Sequence, residues 1–308
     1  MVDVTAARHN NLQSRIALIL GNGAGQNGYG QTLTSYQVNN SGKIAEAADI
    51  NAVYTDMVKA RVHQTGTVPT SIAQIIQNLN TIAETESNFI NNSGITTVDL
   101  DGTKKGITDF ENLMTFIESD KFLMHPSQAS LELGISSVRT TQWNGIVFHE
   151  ATVNFVNSDR RRHFFNSGGE FRFTSNITGA NTPKGLDWTA LCSSTGVVRF
   201  NYNSTATTGS GSGSAIGNYQ LTSTYQTVFN RIGGGTVSGV YNGNIYTIKA
   251  RAPTASSIQF RIEFNDIAVD NLIDNNVTGV LTSTIQHYRA DNVNVSITAP
   301  TYTNNSSL

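Results

Sequence analysis

Near Pro126 the spacing of apolar residues changes period, and that change constrains the fold more than any other feature of the chain. Before it, apolar side chains recur every three or four positions; beyond it, they alternate. A 3.6-residue period gives a helix one greasy stripe, whereas a period of two gives a strand two unlike faces. The expected class is therefore α+β. An N-terminal helical domain occupies residues 1–128, with a glycine-rich loop at 21–31, and a C-terminal antiparallel β-sandwich, jelly-roll-like, occupies 129–308. A chain of 308 residues lies near the size at which one core divides, which agrees with two domains.

Four helices are expected in the first part. Leu12, Ile16, Ile19 and Leu20 form one stripe between Thr5 and Gly21, which stops that helix. A second opens where Asp49 can cap and carries Ile50, Val53, Tyr54, Met57 and Val58. Arg61 and His63 then meet its negative end before Gly66. A third follows Pro69, with Ile72, Ile76, Leu79 and Ala83 on one face. A fourth opens at Thr108, whose hydroxyl and Glu111 suit a reciprocal cap ahead of Phe110, Leu113, Met114 and Ile117.

In the second part, Ser257 to Asn265 alternates Ile258, Phe260, Ile262 and Phe264 with Ser257, Gln259, Arg261 and Glu263, a strand with one face inward. Asn144-Gly145 and Asn242-Gly243 precede further strands as tight-turn pairs. Arg162 to Phe165 and Glu170 to Phe173 read as a hairpin around Asn166-Ser167-Gly168-Gly169. Ala151–Val156, Val197–Tyr202, Val280–Tyr288 and Val293–Ile297 are additional strand candidates, while Trp188 to Leu191 reads as a buried turn.

Charge excludes some functions. The formal net charge is −2 and charged residues make up 14%, too little positive field for bulk nucleic-acid or membrane-surface binding. The single cysteine, Cys192, rules out an internal disulfide and a multi-cysteine metal site. No apolar run approaches membrane-spanning length and no basic start leads into an apolar stretch, so neither insertion nor a signal peptide is expected. Arginines outnumber lysines beyond residue 130, a bias that suits assembly contacts.

Several motifs imitate chemistry without its context. Gly23 to Gly28 matches GxGxxG, but a helix precedes it where a dinucleotide site needs a strand, and no helix follows directly. His149-Glu150 lacks the second histidine of a zinc-protease helix, because Val153 stands there. Asp99 and Asp101 before Gly102 suit a turn, since Thr97 and Thr108 replace the outer ligands of a calcium loop. Asp266, Asp270 and Asp274 with Glu263 could serve a glycan hydrolase, though their asparagine-rich setting suits a solvated loop. No Ser-His-Asp or Cys-His set can be assembled, so no catalytic, cofactor or metal residues are expected and the chain reads as a non-enzyme.

The text Arg160 to Phe173 (RRRHFFNSGGEFRF), with Asp187-Trp188 and Val197 to Phe200, resembles structural proteins of tailed bacteriophages, notably cyanophages. So do Asn10 to Gln31, Ala48 to Gly66 and Gly279 to Tyr302. The resemblance implies a virion component at the neck, tail or baseplate, made in the host cytoplasm, oligomeric, and in contact with other virion proteins. An alternative is a host-surface adhesin or tail fibre whose β domain binds glycans. Arg160, Arg161, Arg162 and His163, as an intersubunit cluster, with Tyr29 and Gln31 of the glycine loop, are the expected interface residues.

Overall fold

The computed structural model describes residues 6–38, 45, 47–67, 107–233, 241–267 and 276–308. It divides into two compact units. The first comprises Met1–Ser130, Arg162–Gly168 and Ala290–Ile297; the second comprises Leu131–Arg161, Gly169–Arg289 and Thr298–Leu308. Segments 162–168 and 290–297, which lie in the β half by sequence position, group with the helices.

The stripe in the first unit builds helix α1 (Ala6–Leu20), with Leu12, Ile16, Ile19 and Leu20 all buried. Helix α2 (Ala47–Thr65) buries Ile50, Val53, Tyr54 and Met57, and helix α3 (Ile107–Ser119) buries Phe110, Leu113, Met114 and Ile117. Two forked guanidinium–carboxylate pairs join α1 to α3: Arg8 to Glu111 at 2.9 and 2.8 Å, and Arg15 to Glu118 at 2.8 and 2.7 Å. Glu111 thus meets a distant arginine; the Thr108 side chain expected to share a cap with it lies outside the described residues. Asp49 likewise sits inside the first turn of α2, where its carboxylate accepts from the Tyr36 hydroxyl at 2.8 Å. His63 also departs from expectation. It is fully buried, and its Nε2–H donates to the Ser167 carbonyl at 2.9 Å. Desolvation lowers its pKa to about 4. The expected third helix and the Asp99–Asp101 turn lie outside the described residues.

The second unit contains two five-stranded antiparallel sheets. The strands are β1 (Ala129–Arg139), β2 (Gly145–Asn154), β3 (Glu170–Thr178), β4 (Val198–Phe200), β5 (Thr205–Thr207), β6 (Gln226–Ile232), β7 (Ile245–Thr254), β8 (Ser257–Asp266), β9 (Val280–Ala290) and β10 (Thr301–Asn304). Their orders are β1-β9-β3-β4-β5 and β10-β2-β8-β7-β6. Pairing β1 with β9 and β2 with β8 is nested, as in a jelly roll. Between them, β3-β4-β5 and β6-β7-β8 run as simple meanders, so the wrapping stops after the outer strands.

Strand β8 matches its predicted alternation: Ile258, Phe260, Ile262 and Phe264 are all buried. Phe260 is the centre of the interior, with ring centroids 5.2 Å from Phe171, 4.9 Å from Phe173 and 5.2 Å from Phe200. These edge-on and tilted contacts link strands of the two sheets, which makes the unit a sandwich. A second group joins Trp143, Trp188 and Phe264.

Two helices interrupt the β sequence, and both correct the sequence reading. Helix α4 (Ser158–Asn166) replaces the first arm of the expected hairpin. Asn157 caps it, its side chain accepting from the Arg160 N–H at 2.8 Å, and Asp159 favours the first turn. Gly168 (φ +85) ends it, so the asparagine–glycine run is a helix stop and not a hairpin tip. Helix α5 (Pro183–Thr195) replaces the turn at Trp188, with Thr182 as cap and Pro183 at the first position. Segment Val293–Ile297 is also no strand. It closes a loop through Ile297 N–H to the Ala290 carbonyl at 3.0 Å.

Candidate functional site

The glycine loop folds back onto the end of α1. The N–H groups of Tyr29, Gly30 and Gln31 donate to the carbonyls of Ile19, Gly21 and Leu20 at 2.8 to 2.9 Å. The loop thereby turns carbonyl oxygens outward. Arg162 donates to those of Gly23 and Asn27, and Asn166 Nδ2 donates to that of Asn27 at 2.8 Å. A phosphate cradle presents N–H groups; a concave run of carbonyls receives a cation, and Arg162 fills that role.

The predicted interface residues divide accordingly. Tyr29 is buried, its hydroxyl donating to the Lys121 carbonyl at 2.6 Å and accepting from Gln64 at 3.1 Å. Gln31 spans to Ser296, donating to its carbonyl at 3.1 Å and accepting from its N–H at 3.2 Å. His163 is buried beside Gly30, whose φ of +70 and lack of a side chain admit the imidazole; a Cβ there would lie 2.2 Å from Nδ1. Arg161, in the second unit, is 8% exposed and donates to Asn218 Oδ1 at 2.8 Å and to the carbonyls of Thr254 and Ser257 at 3.1 and 3.2 Å. Burial lowers its pKa to about 10. Of the expected interface residues, three are therefore placed in the interior. Tyr29, Arg161 and His163 are interior, Arg162 is partly exposed but grips carbonyls of its own chain, and Arg160 and Gln31 are partly exposed.

The carboxylates proposed for glycan chemistry do not converge among the described residues. Asp266 is buried against Lys184 at 2.9 Å, both side chains wholly covered. Glu263 lies on the outer face of the second sheet, paired with Lys249 at 2.8 Å and Arg261 at 3.0 Å. Asp270 and Asp274 lie outside the described residues. Among the described residues no group of histidine, cysteine and acidic side chains is placed to hold a metal. Cys192 is buried, and its thiol is pushed up to about 12.

Two side-chain sets were invisible in the sequence. His149 and Ser283 bond at 3.0 Å between the sheets, both fully buried, and desolvation lowers the imidazole to about 4. Neutral and sealed, that pair bridges the sheets and offers nothing to a substrate. In the second set the Tyr302 hydroxyl donates to His287 Nδ1 at 2.9 Å, and Nε2–H donates to Glu132 at 3.1 Å, in the tautomer that satisfies both. Arg289 adds a 2.6 Å bond to Glu132. This chain fastens β10 of one sheet across to β9 and β1 of the other.

Among the described residues strand β1 has one neighbour, β9, since it ends the first sheet. Its alternation puts Glu132 and Gly134 toward Tyr302 and His287. Leu131, Leu133 and Ile135 therefore take the opposite face; beyond Ile135 the alternation breaks, with Ser137 buried and Val138 49% exposed. Leu131 is 45% exposed and Leu133 63%. Between Leu131 and Ile135 this edge carries apolar side chains without lysine, proline or an outward charge and so lacks the usual protection against strand addition; Arg139 ends the strand, bonded to the Ser307 and Gln142 carbonyls. This edge is the strongest candidate for a functional surface. No protein-family model, no curated protein and no solved structure matches the chain.

Proposed function

We propose that the chain is a structural component of a tailed-bacteriophage particle, assembling as an oligomer at the neck, tail or baseplate. Support comes from the resemblance spread over Asn10–Gln31, Ala48–Gly66, Arg160–Phe173 and Gly279–Tyr302. The structural observation that carries the reading is the open β1 edge, where Leu131 and Leu133 face solvent. Backbone groups along such an edge can bond a neighbouring chain while the leucines lose water. Repeated copies would add such contacts through effective concentration, which is how a particle gains affinity from modest surfaces. Cross-linking mass spectrometry on purified particles tests the proposal. The expected result is recovery of this chain at fixed stoichiometry, with cross-links to other particle proteins. Its consistent absence from purified particles would remove the proposal.

A further inference from the structure

We infer that β1 binds β1 of a second copy, antiparallel about a two-fold axis at Leu133, joining two five-stranded sheets into one. The inference rests on the assembly reading for its purpose, but on the strand's own sequence for its geometry.

A two-fold axis normal to a sheet maps hydrogen-bonded pairs onto hydrogen-bonded pairs, so it must pass between a residue and its own copy, never between successive residues. Only a few registers satisfy this near the exposed leucines. Centred on Leu133, the strand sets Leu133 against its counterpart, and Leu131 against Ile135 of the second copy, twice. The whole apolar row is then paired with itself. On the opposite face Glu132 falls against Gly134, so no like charges meet. Centring on Glu132 would oppose two carboxylates, and centring on Gly134 would set Leu131 against Ser137, leaving one leucine without an apolar partner. Apolar side chains meeting apolar ones, with Glu132 set against glycine and no like charges opposed, make a second copy of the strand a fitting occupant, and that fit is the ground for the choice.

Two properties make the edge ready for this. Glu132 is already held by His287 and Arg289 at 3.1 and 2.6 Å, which keeps its carboxylate from projecting along the edge. Tyr302 packs over Gly134, where a Cβ would lie 2.3 Å from the ring, so the strand is backed on its inner face. The edge is thus rigid before it meets a partner, which lowers the ordering cost of pairing.

Light scattering on the full chain across a dilution series, with thiol cross-linking, tests the inference. The expected species is a dimer whose dissociation constant rises at least tenfold with Leu133→Lys, because the axis brings the two new charges together. Leu186→Lys, on an exposed leucine of α5, should leave the dimer unchanged, and a thermal midpoint equal to the parent's shows that Leu133→Lys is folded. Cross-linking fixes the register against the buried Cys192. Leu133→Cys alone should cross-link to itself with a short reagent. Leu131→Cys should not, but should do so when mixed with Ile135→Cys. A monomer at every concentration, a closed ring of more than two copies, or a dimer indifferent to Leu133→Lys would overturn the pairing. A monomer still incorporated into particles would sink the pairing alone. A Leu133-dependent dimer missing from particles would sink the proposed function alone.

Discussion

The two units solve the same problem with different means. The second is held by rings: Phe260 alone meets three other phenylalanines between its sheets. The first is joined by polar grips between segments far apart in sequence. Arg8 and Arg15 reach residues 103 positions away, and Asn166 reaches the glycine loop from 139 positions away. Apolar burial is non-directional and tolerates approximate placement, whereas a guanidinium fork needs its acceptors where it expects them. The β unit should accordingly be the more stable and the helical unit the more exacting.

The sharpest way to break this contrast is Phe260→Ala. Removing a buried aromatic side chain costs about 4 kcal/mol. Amide exchange should show the loss in β3, β7 and β8 well above any in α1 and α3; equal losses would abolish the distinction. Acidification comes next. His63 in one unit and His149 in the other are both kept neutral by burial, near a pKa of about 4, against an ordinary value of 6.5. Between those values the unfolded chain binds more protons, so stability is complete above about pH 6.5 and falls toward pH 4, by up to roughly 3 kcal/mol per histidine. His63→Gln should flatten the response of α2 amides and leave that of β2 intact. Arg162→Ala should cost about 2 kcal/mol by stripping donors from the loop carbonyls. Exchange at 21–31 should quicken, and unchanged protection there would deny the grip. The smallest effect belongs to Arg15→Ala. With Arg15 25% and Glu118 37% exposed, the loss should be about 0.5 kcal/mol and should shrink in high salt, as chemical denaturation can measure.

What could be read in the sequence was what depends on neighbours along the chain. Ile258, Phe260, Ile262 and Phe264 announce a strand by alternation, and Leu12, Ile16, Ile19 and Leu20 announce a helix by their stripe. Thr182-Pro183 is a helix start written locally, in a capping hydroxyl followed by proline. Arg160 to Phe165 misled for a different reason. Its alternating look hid a helix whose guanidinium groups are satisfied by Asn218, Thr254 and Ser257 in one unit and by Gly23 and Asn27 in the other. No local pattern encodes those partners. The same holds for Glu132 and His287, which are 155 positions apart. The open edge at β1 was equally hidden, because exposure of Leu131 and Leu133 follows from sheet order and not from their immediate surroundings.

The first unit draws residues 162–168 and 290–297 into itself, and this sets a timetable for synthesis. Arg162 and Ser296 are made well after α1 and the glycine loop that they hold. During synthesis the helical part therefore waits, incompletely closed, while the intervening strands are made.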